Sequence, residues 1–333
     1  MLLFETYIIY LNGNNEPAKR LTLLQSTCLD GWRPPGVPKV ISSLFKNWRN
    51  RKAPHPAKTI AFILSSDRSG STWVGYVLGS GRENAFLGEY YRGWDENLRV
   101  PCSWCAVHGK EKCDVLHGFE EEPAASAFDF AFSRTGKSLL VDNSKRPEWA
   151  KNFITTDGSY GLRLIHLIRD PRGWYASERR RKGASLSDLL ADWVEENRNL
   201  RDFLEQSGVP GKTVFYDELA ASPTPGFTDL CSFLGRPFEP RSLKYWEKPH
   251  HGFAANGASS LFLQGAPQAS RLTTFVTGDD AYYAKQGHGL FTDERWKQQL
   301  NADDLRSIKM NNNVTQLLAL YGRTLAPEGL ARL

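Results

Sequence analysis

The chain has 333 residues, 41% of them hydrophobic, which is enough to bury a sizeable core in one large domain or two small ones. Its net charge of +5, from 42 Lys and Arg against 37 Asp and Glu, favours an anionic ligand but is too small for a protein that coats nucleic acid. No run approaches the roughly 18 uncharged apolar residues of a membrane-spanning helix, and we identify no signal peptide.

The elements in chain order predict an α/β fold. Residues 1–56 are expected to form an irregular N-terminal extension of unknown role, because prolines punctuate much of the stretch. Residues 57–325 are expected to form one domain, in which short apolar strands alternate with helices. The predicted strands are TIAFILS (59–65), SLLVDN (138–143), LRLIHLIR (162–169) and KTVFYDE (212–218), and the predicted helices are 71–80, 171–183 and 185–206. This alternation is typical of an open, mostly parallel sheet flanked by helices, similar to that of P-loop proteins.

The loop after the first predicted strand, SSDRSGSTW (65–73), is suited to an anion. Backbone N–H groups at the start of the following helix would point at the anion, and the helix dipole favours negative charge there. Gly70 would let the backbone approach closely, and Arg68 would supply a fixed positive fork. The hydroxyl donors that the loop offers are those of Ser69, Ser71 and Thr72. The alternative is an ordinary strand–helix turn capped by Ser or Thr.

The loop does not match the P-loop pattern GxxxxGK[ST], because it has one glycine and no such lysine. Two other short matches, RTGKS (134–138) and GKT (211–213), come before predicted strands and lack the first glycine. A nucleotide-dependent phosphotransferase related to kinases therefore loses its main support, and it remains the alternative enzyme class. A non-catalytic nucleotide-binding module is the alternative outside enzymes.

SDRSGSTW, followed by LIRDPRGWYAS (167–177), resembles the paired cofactor motifs of sulfotransferases that use 3′-phosphoadenosine 5′-phosphosulfate (PAPS). The resemblance implies that the first loop holds the 5′-phosphosulfate, with Trp73 near the adenine, although Trp73 could equally be a core residue. It implies that Arg169, at a strand end, and Ser177, about two turns into the next helix, hold the 3′-phosphate. Such a nucleotide would span two neighbouring strand ends, where open α/β sheets usually bind ligands.

The resemblance extends over roughly residues 58–322. Further matching stretches are VDNSKRP (141–147), VFYDELAASP (214–223), LCSFLGRPFEP (230–240), ERWKQQL (294–300) and LALYG (318–322). Arg68 stands where the cytosolic hormone and phenol branch has lysine, so the bacterial and tyrosylprotein-type branch is the more similar. The resemblance implies transfer of a sulfuryl group to an acceptor hydroxyl, with release of adenosine 3′,5′-bisphosphate. A small-molecule alcohol or a sugar is the expected acceptor, ahead of a phenol, a peptide tyrosine or an amine.

Three residues are expected to carry the chemistry. Arg68 would stabilise the departing nucleotide, and Lys145, at a strand end, would add a second charge unless it is simply a surface lysine. The resemblance implies a glutamate base about twenty residues after the loop arginine, and Glu89 fits this spacing. The alternative for Glu89 is a loop carboxylate paired with Arg92. Since Arg and Lys supply the positive charge, no metal is expected to be required.

Histidines are the fallback for the base. The loop candidates are His288 and the pair His250 and His251, whereas His166 lies inside a predicted strand and is expected to be a core residue.

Five cysteines are an odd and sparse set, which indicates a reducing, cytoplasmic setting. Three of them lie in PCSWCAVHGKEKCDVLHG (101–118), which is expected to be an insert that serves as a lid or as a wall of the acceptor site. A zinc site is the weaker alternative. Its ligands would be Cys102, Cys105, His108 and Cys113, which follow the spacing C-x2-C-x2-H-x4-C.

Overall fold

A five-stranded parallel sheet lies at the centre of the fold. The computed structural model of the protein describes residues 58–95, 100–154, 160–253, 282 and 292–333, so the predicted extension 1–56 lies outside the described residues. The strand order is β2-β3-β1-β4-β5, with every neighbouring pair parallel. The strands are β1 (Thr59–Leu64), β2 (Asn84–Phe86), β3 (Leu139–Asp142), β4 (Gly161–Ile168) and β5 (Gly211–Phe215). The α/β prediction is confirmed.

Helices cover both faces of this sheet. Those before β5 are α1 (Ser71–Gly79), α2 (Ser103–Val107), α3 (Ala127–Thr135), α4 (Pro147–Lys151), α5 (Pro171–Lys182) and α6 (Leu186–Gln206). Those after it are α7 (Tyr216–Ala221), α8 (Pro223–Phe233), α9 (Trp296–Gln299), α10 (Ala302–Met310) and α11 (Asn312–Leu320). One face packs against α1, α7 and α8, and the other against α3, α4 and α6. Within the described ranges, no helix is long and apolar enough to cross a bilayer.

The central strand β1 shows why its sequence is a continuous apolar run. Successive side chains of a strand point to opposite faces. Ala61 and Ile63 join the core beneath α1, whereas Phe62 packs edge-on against Phe128 on the other face, with ring centroids 5.5 Å apart. All six residues of β1 are buried. A strand covered on both faces has no position where a polar side chain would reach water.

The helices that follow β4 begin and end at residues suited to those positions. Asp170 caps α5 by accepting a hydrogen bond from the backbone N–H of Arg172, and Pro171 occupies the first turn. The helix ends at Gly183, which has the left-handed conformation that glycine adopts readily. Ser185 then caps α6 through the N–H of Asp188. The predicted helices 171–183 and 185–206 are confirmed.

Three features differ from the sequence-based expectation. Strand β2 was not predicted, because three residues are too few to show a periodic pattern. The fourth predicted strand ends at Phe215, since the acidic residues Asp217 and Glu218 lie in the first turn of α7, where the helix dipole favours them. An antiparallel hairpin of β6 (Arg323–Ala326) and β7 (Gly329–Arg332) follows α11 and was also not predicted.

Candidate active site

Three cations predicted to belong to the site follow three adjacent strands at their carboxyl ends. Strand β1 is flanked by β3 and β4, so the loops that follow these strands meet at one edge of the sheet. Arg68 follows β1, Lys145 follows β3 and Arg169 follows β4. The topology therefore gathers three cations that are far apart in the sequence.

The loop after β1 has the geometry of an anion cradle. Gly70 is the N-cap of α1, and no side chain caps this helix, so the alternative of an ordinary Ser- or Thr-capped turn is wrong. The φ angle of Gly70 is 88°, and a Cβ atom there would lie 2.4 Å from Cδ2 of Tyr216, so only glycine fits. The first N–H groups of α1 have no partners inside the helix, which leaves them for an anion.

Asn143 orders the hydroxyl groups at the start of α1. Its side-chain amide donates to Ser71 Oγ at 3.3 Å and to Thr72 Oγ1 at 3.4 Å. Because both hydroxyl oxygens accept from Asn143, their own hydrogens remain to be donated elsewhere. On the other side of the loop, Ser66 and Ser69 are linked through their hydroxyls at 2.9 Å. The first predicted cofactor motif thus offers a set of ordered hydrogen-bond donors.

Arg68 joins the two predicted cofactor motifs. Its Nε atom donates to Ser177 Oγ at 3.0 Å, and its backbone carbonyl accepts from Arg169 Nη1 at 2.9 Å. Trp174 adds a third link by donating its indole N–H to the carbonyl of Asp67 at 2.7 Å. Residues separated by about 100 positions in the sequence therefore form one connected site.

Arg169 is buried and firmly held. Its Nη2 atom lies 3.0 Å from Asp293 Oδ2, and its guanidinium lies 5.2 Å from the ring centroid of Tyr216. Burial tends to raise the pKa of Asp293, but the hydrogen bond from Arg295 and the charge of Arg169 hold it well below its usual value. A phosphate at this position would therefore share Arg169 with Asp293. The sequence did not indicate this carboxylate, because it lies 124 residues further along the chain.

Lys145 and Glu89 form an ion pair at the same edge of the sheet. Lys145 Nζ donates to Glu89 Oε1 at 2.8 Å and to Asp67 Oδ1 at 3.0 Å. The second oxygen of Glu89 accepts a hydrogen bond from Arg92 Nε at 2.6 Å. Glu89 is therefore paired with Arg92, as the alternative proposed, and with Lys145 as well. The Lys145 side chain is only 16% exposed, which excludes a simple surface lysine. Burial works to lower the pKa of Lys145, but the nearby charges of Glu89 and Asp67 raise it overall.

Asp67 and Arg181 are further charged residues of the candidate site that the sequence did not indicate. Besides accepting from Lys145, Asp67 lies with its Oδ2 atom 3.7 Å from Arg181 Nη2. Burial opposes ionisation of Asp67, yet the charge of Lys145 and then that of Arg181 lower its pKa. Arg181 belongs to the basic run at the end of α5, and Asp67 lies in the first cofactor motif. Their adjacency depends on the path of α5 past the loop.

Trp73 lies between the core and the surface. Its ring meets Phe227 and Tyr216 edge-on, with centroids 5.3 Å and 5.7 Å away, and it remains half-buried. Trp73 therefore packs against core aromatic rings, as the alternative interpretation of this residue proposed. Stacking on adenine stays a prediction.

His166 and the candidate base His250 are both core residues. Burial is the main cause that lowers the pKa of both His166 and His250 to about 4. His166 bonds Asn197 Oδ1 at 3.1 Å, which confirms its core role, and His250 lies 2.9 Å from the carbonyl of Tyr245. His250 is thus poorly placed as a catalytic base. His288 lies outside the described residues.

The cysteine insert brings together a different set of ligands from the one expected. His108 is not among the side chains whose ligand atoms converge there, and its Nδ1 atom lies 2.7 Å from the carbonyl of Trp104, so the predicted fourth ligand is wrong. His251 takes that place, because its side chain lies among the three thiols of the insert. The four candidate ligand atoms, on Cys102, Cys105, Cys113 and His251, all lie within 4.8 Å of one another.

Comparison with solved structures shows that this is the sulfotransferase fold. The sulfotransferase domain from the curacin biosynthetic pathway matches with a TM-score of 0.56 and 17% identity, covering 81% of this chain and 99% of that domain. The sulfotransferase domain of the Synechococcus PCC 7002 olefin synthase matches with a TM-score of 0.52 and 19% identity, covering 83% and 99%. At this identity the likeness is one of fold. No family model and no curated protein matches the chain.

Proposed function

We propose that the protein transfers a sulfuryl group from PAPS to an acceptor hydroxyl and releases adenosine 3′,5′-bisphosphate. The observation that carries this proposal is the connection of both cofactor motifs through Arg68, whose side chain meets Ser177 and whose carbonyl meets Arg169. A donor with anionic groups at both its 5′ and 3′ positions fits two linked basic loops. The fold of the two sulfotransferase domains supports the same activity.

The donor would lie across the ends of β1 and β4. Its 5′-phosphosulfate would accept hydrogen bonds from the first turn of α1 and from Ser71 and Thr72, whose hydrogens Asn143 leaves available. Its 3′-phosphate would accept from Arg169 and from Ser177. Since Ser177 Oγ already accepts from Arg68, its own hydrogen is left for the phosphate.

The transfer step uses three side chains in two roles, a base and a pair of stabilising cations. The acceptor oxygen attacks sulfur while the bond from sulfur to the 5′-phosphate oxygen breaks, and the leaving phosphate takes the electron pair. The acceptor proton moves to Glu89, whose two oxygens each receive one hydrogen bond, from Lys145 and Arg92, and keep lone pairs for it. Arg68 and Lys145 stabilise the charge that grows on the leaving oxygen and the sulfonate.

The acceptor class and the compartment are part of the same proposal. The two structural neighbours are domains named for a biosynthetic pathway and an olefin synthase, which supports a small-molecule alcohol as the acceptor, with a sugar as the next choice. The four cysteines among the described residues form no disulfide, which supports a reducing, cytoplasmic setting.

Ligand stabilisation distinguishes this proposal from a phosphotransferase. The lysines of the two short glycine–lysine matches are engaged elsewhere: Lys137 donates to the carbonyl of Arg82, and Lys212 pairs with Asp229. We expect adenosine 3′,5′-bisphosphate at about 100 times its Kd to stabilise the fold by about 2.7 kcal/mol. Thermal unfolding with this ligand, with 5′-AMP and with ATP–Mg²⁺ measures the difference. Stabilisation by ATP–Mg²⁺ alone would exclude the proposal.

Mass spectrometry tests the transfer itself. Purified protein is incubated with PAPS and a library of alcohols, sugars, phenols and amines, and products are screened for the added mass of SO₃. The expected result is a product that depends on PAPS and on the protein, and that is lost in Arg68→Ala. If no acceptor class yields such a product while the nucleotide still binds, the protein is a binding module.

A further inference from the structure

A cluster of three thiols and an imidazole lies outside the chemistry proposed above. The thiols belong to the insert, with Cys102 and Cys105 at the start of α2 and Cys113 in the loop after it. The imidazole of His251 comes from a segment 138 residues beyond Cys113. Four candidate zinc ligands therefore converge from separate parts of the chain, which the transfer of a sulfuryl group does not require.

The distances within the cluster match tetrahedral zinc coordination. His251 Nδ1 lies 3.5 Å from Cys113 Sγ, 3.6 Å from Cys105 Sγ and 3.9 Å from Cys102 Sγ. With Zn–S bonds of about 2.3 Å and Zn–N bonds of about 2.0–2.1 Å, two tetrahedral ligands of these types stand about 3.6 Å apart. A single Zn²⁺ ion fits among these atoms with little movement of the ligands.

The backbone around Cys113 supports the same assignment. The N–H of Leu116 donates to Cys113 Sγ at 3.1 Å, the kind of contact that orients and stabilises a metal-bound thiolate. Cys102 and Cys105 are both buried and follow the C-x2-C spacing common in zinc sites. We propose that Cys102, Cys105, Cys113 and His251 bind a structural Zn²⁺ ion through three thiolates and the Nδ1 atom. Four protein ligands close the coordination sphere, so the ion holds structure together and does not bind substrate.

The ion would fasten the segment that positions Glu89. Phe253, two residues after His251, accepts from the N–H of Glu89 at 2.8 Å and donates to the carbonyl of Leu87 at 2.9 Å. Ser103, next to Cys102, donates to the carbonyl of Gly252 at 2.8 Å. The zinc site would therefore clamp the insert and residues 251–253 against the strand end that carries Glu89. This consequence for catalysis rests on the proposed function, whereas zinc binding does not.

Glycines make the clamped contact possible. A Cβ atom at Gly88 would lie 2.0 Å from the carbonyl oxygen of Phe253, and one at Gly252 would lie 2.4 Å from the carbonyl carbon of Leu87. Two backbones that approach this closely have no room for a side chain between them. This close backbone contact places the segment that carries His251 directly against the loop that carries Glu89.

Metal content tests the proposal on the whole protein. After expression with added zinc and purification without chelators, elemental analysis is expected to find about one zinc per chain. Cys113→Ser and His251→Ala are expected to lose most of it. The matched controls His108→Ala and Cys231→Ala remove the nearby histidine predicted from spacing and a buried cysteine outside the cluster, and both are expected to keep it. Zinc in the wild type at the level of His251→Ala would overturn the assignment.

Cobalt substitution covers the case in which the cluster variants fail to fold. Wild-type protein refolded with Co²⁺ is expected to show the d–d bands of tetrahedral cobalt and charge-transfer absorption from thiolates, both displaced by one equivalent of Zn²⁺. An octahedral cobalt spectrum, or a disulfide between two of the three cysteines in the purified protein, would overturn the proposal. Zinc at full occupancy without sulfuryl transfer would sink the proposed function alone. Sulfuryl transfer by protein that contains no zinc when purified without chelators would sink this proposal alone.

Discussion

At the scale of single residues, Arg68 and Lys145 share an unusual backbone conformation. They are the non-glycine residues with positive φ in the described part of the chain, at 62° and 61°. Such a conformation costs of the order of 1–3 kcal/mol and persists where the surrounding structure enforces it, often at functional sites. Both residues lie in loops that follow neighbouring strands at the same edge of the sheet, and both were predicted to stabilise the departing nucleotide. The strain therefore supports their assignment to the site.

Glu89→Gln is expected to abolish most turnover while keeping nucleotide affinity. The amide is nearly isosteric with the carboxylate, but it cannot take the acceptor proton, so turnover is expected to fall about 10²–10⁴-fold. Affinity for adenosine 3′,5′-bisphosphate is expected to stay near that of the wild type, because Glu89 faces Lys145 and Arg92 and is not part of either cofactor motif. Steady-state rates and equilibrium titration measure the two quantities.

Glu120→Gln is the matched control for Glu89, since Glu120 is an exposed glutamate two residues after the insert. It is expected to leave both turnover and affinity unchanged. Near-normal turnover in Glu89→Gln would remove Glu89 as the base.

Arg169→Gln is expected to weaken binding of adenosine 3′,5′-bisphosphate by about 2–4 kcal/mol, the usual range for removing one member of a hydrogen-bonded charge pair. This corresponds to a roughly 30- to 1,000-fold higher Kd. The Kd of 5′-AMP, which lacks the 3′-phosphate, is expected to change much less. Isothermal titration with both nucleotides measures the contrast.

Arg163→Gln is the control for Arg169 on the same strand. Arg163 lies near the other end of β4 and donates to the carbonyls of Leu162 and Phe233. Its replacement is expected to leave both affinities unchanged. An equal loss for the two nucleotides in Arg169→Gln would place the 3′-phosphate elsewhere.

At the scale of elements, the turn from β1 into α1 depends on Gly70. Gly70→Ala would place a methyl group against the buried ring of Tyr216, on which Arg169 also lies. Gly136→Ala is the matched control, because Gly136 also has positive φ but has nothing within 4 Å of a Cβ atom. The control is expected to lower the free energy of unfolding by about 1–2 kcal/mol, the cost of a left-handed alanine, without changing nucleotide affinity.

Gly70→Ala is expected to lose more stability than this control and also to bind adenosine 3′,5′-bisphosphate at least about tenfold more weakly, a difference of about 1.4 kcal/mol. Urea unfolding and nucleotide titration of the two variants measure these effects. If the two glycine variants behave alike, the close contact with Tyr216 does not shape the loop.

The contact between β4 and α6 makes stability depend on pH through His166. Burial lowers the pKa of His166 to about 4 in the folded state, below its ordinary value of 6.5. Between these two pKa values the unfolded chain therefore binds a proton at His166, whereas the folded chain does not. The stabilisation from this histidine is fully present above pH 6.5 and is lost as the pH falls towards 4. The shift corresponds to at most about 3 kcal/mol.

His166→Gln is expected to be less stable than the wild type at pH 7.5, with a difference that narrows on going to pH 4.5. Every other group titrates in both proteins, so the difference isolates His166. Urea unfolding at a series of pH values measures it. A difference that is constant over this range would show that His166 does not carry the pH dependence.

Local patterns explain which elements were predictable from sequence. Strand β1 is a run of buried residues, and α5 is bounded by Asp170, Pro171 and Gly183, so short-range signals define both. Strand β2 has three residues and no such signal. The hairpin β6–β7 follows the last matching stretch of the family resemblance. Elements that depend on tertiary pairing more than on their own pattern were the ones missed.

At the scale of the whole molecule, neighbours in the candidate site could be predicted where they lie in recognisable sequence motifs. They could not be predicted where they come from distant segments without such a motif. The proximity of Arg68, Arg169 and Ser177 could be predicted because each lies in a short motif after a strand. His251 was not assigned to the cysteine cluster, because it lies 149 residues from Cys102. Asp293 was missed for the same reason, since nothing near Arg169 in the sequence indicates its partner. Residue spacing predicts contacts within a segment, whereas these contacts depend on the complete fold.

Turnover is expected to be independent of Mg²⁺, because side chains supply the positive charge around the donor. Arg68, Lys145 and Arg169 converge on one edge of the sheet, and the nearby carboxylate of Asp67 is already paired with Lys145 and Arg181. Phosphoryl transfer from ATP, by contrast, depends on a metal that bridges the phosphates. Initial rates with PAPS are measured with brief exposure to EDTA and with added Mg²⁺, and zinc is quantified in the same samples so that the cysteine site stays occupied. Equal rates are expected. A rate that falls in EDTA and returns with Mg²⁺, at constant zinc content, would contradict a mechanism in which arginine and lysine stabilise the leaving group.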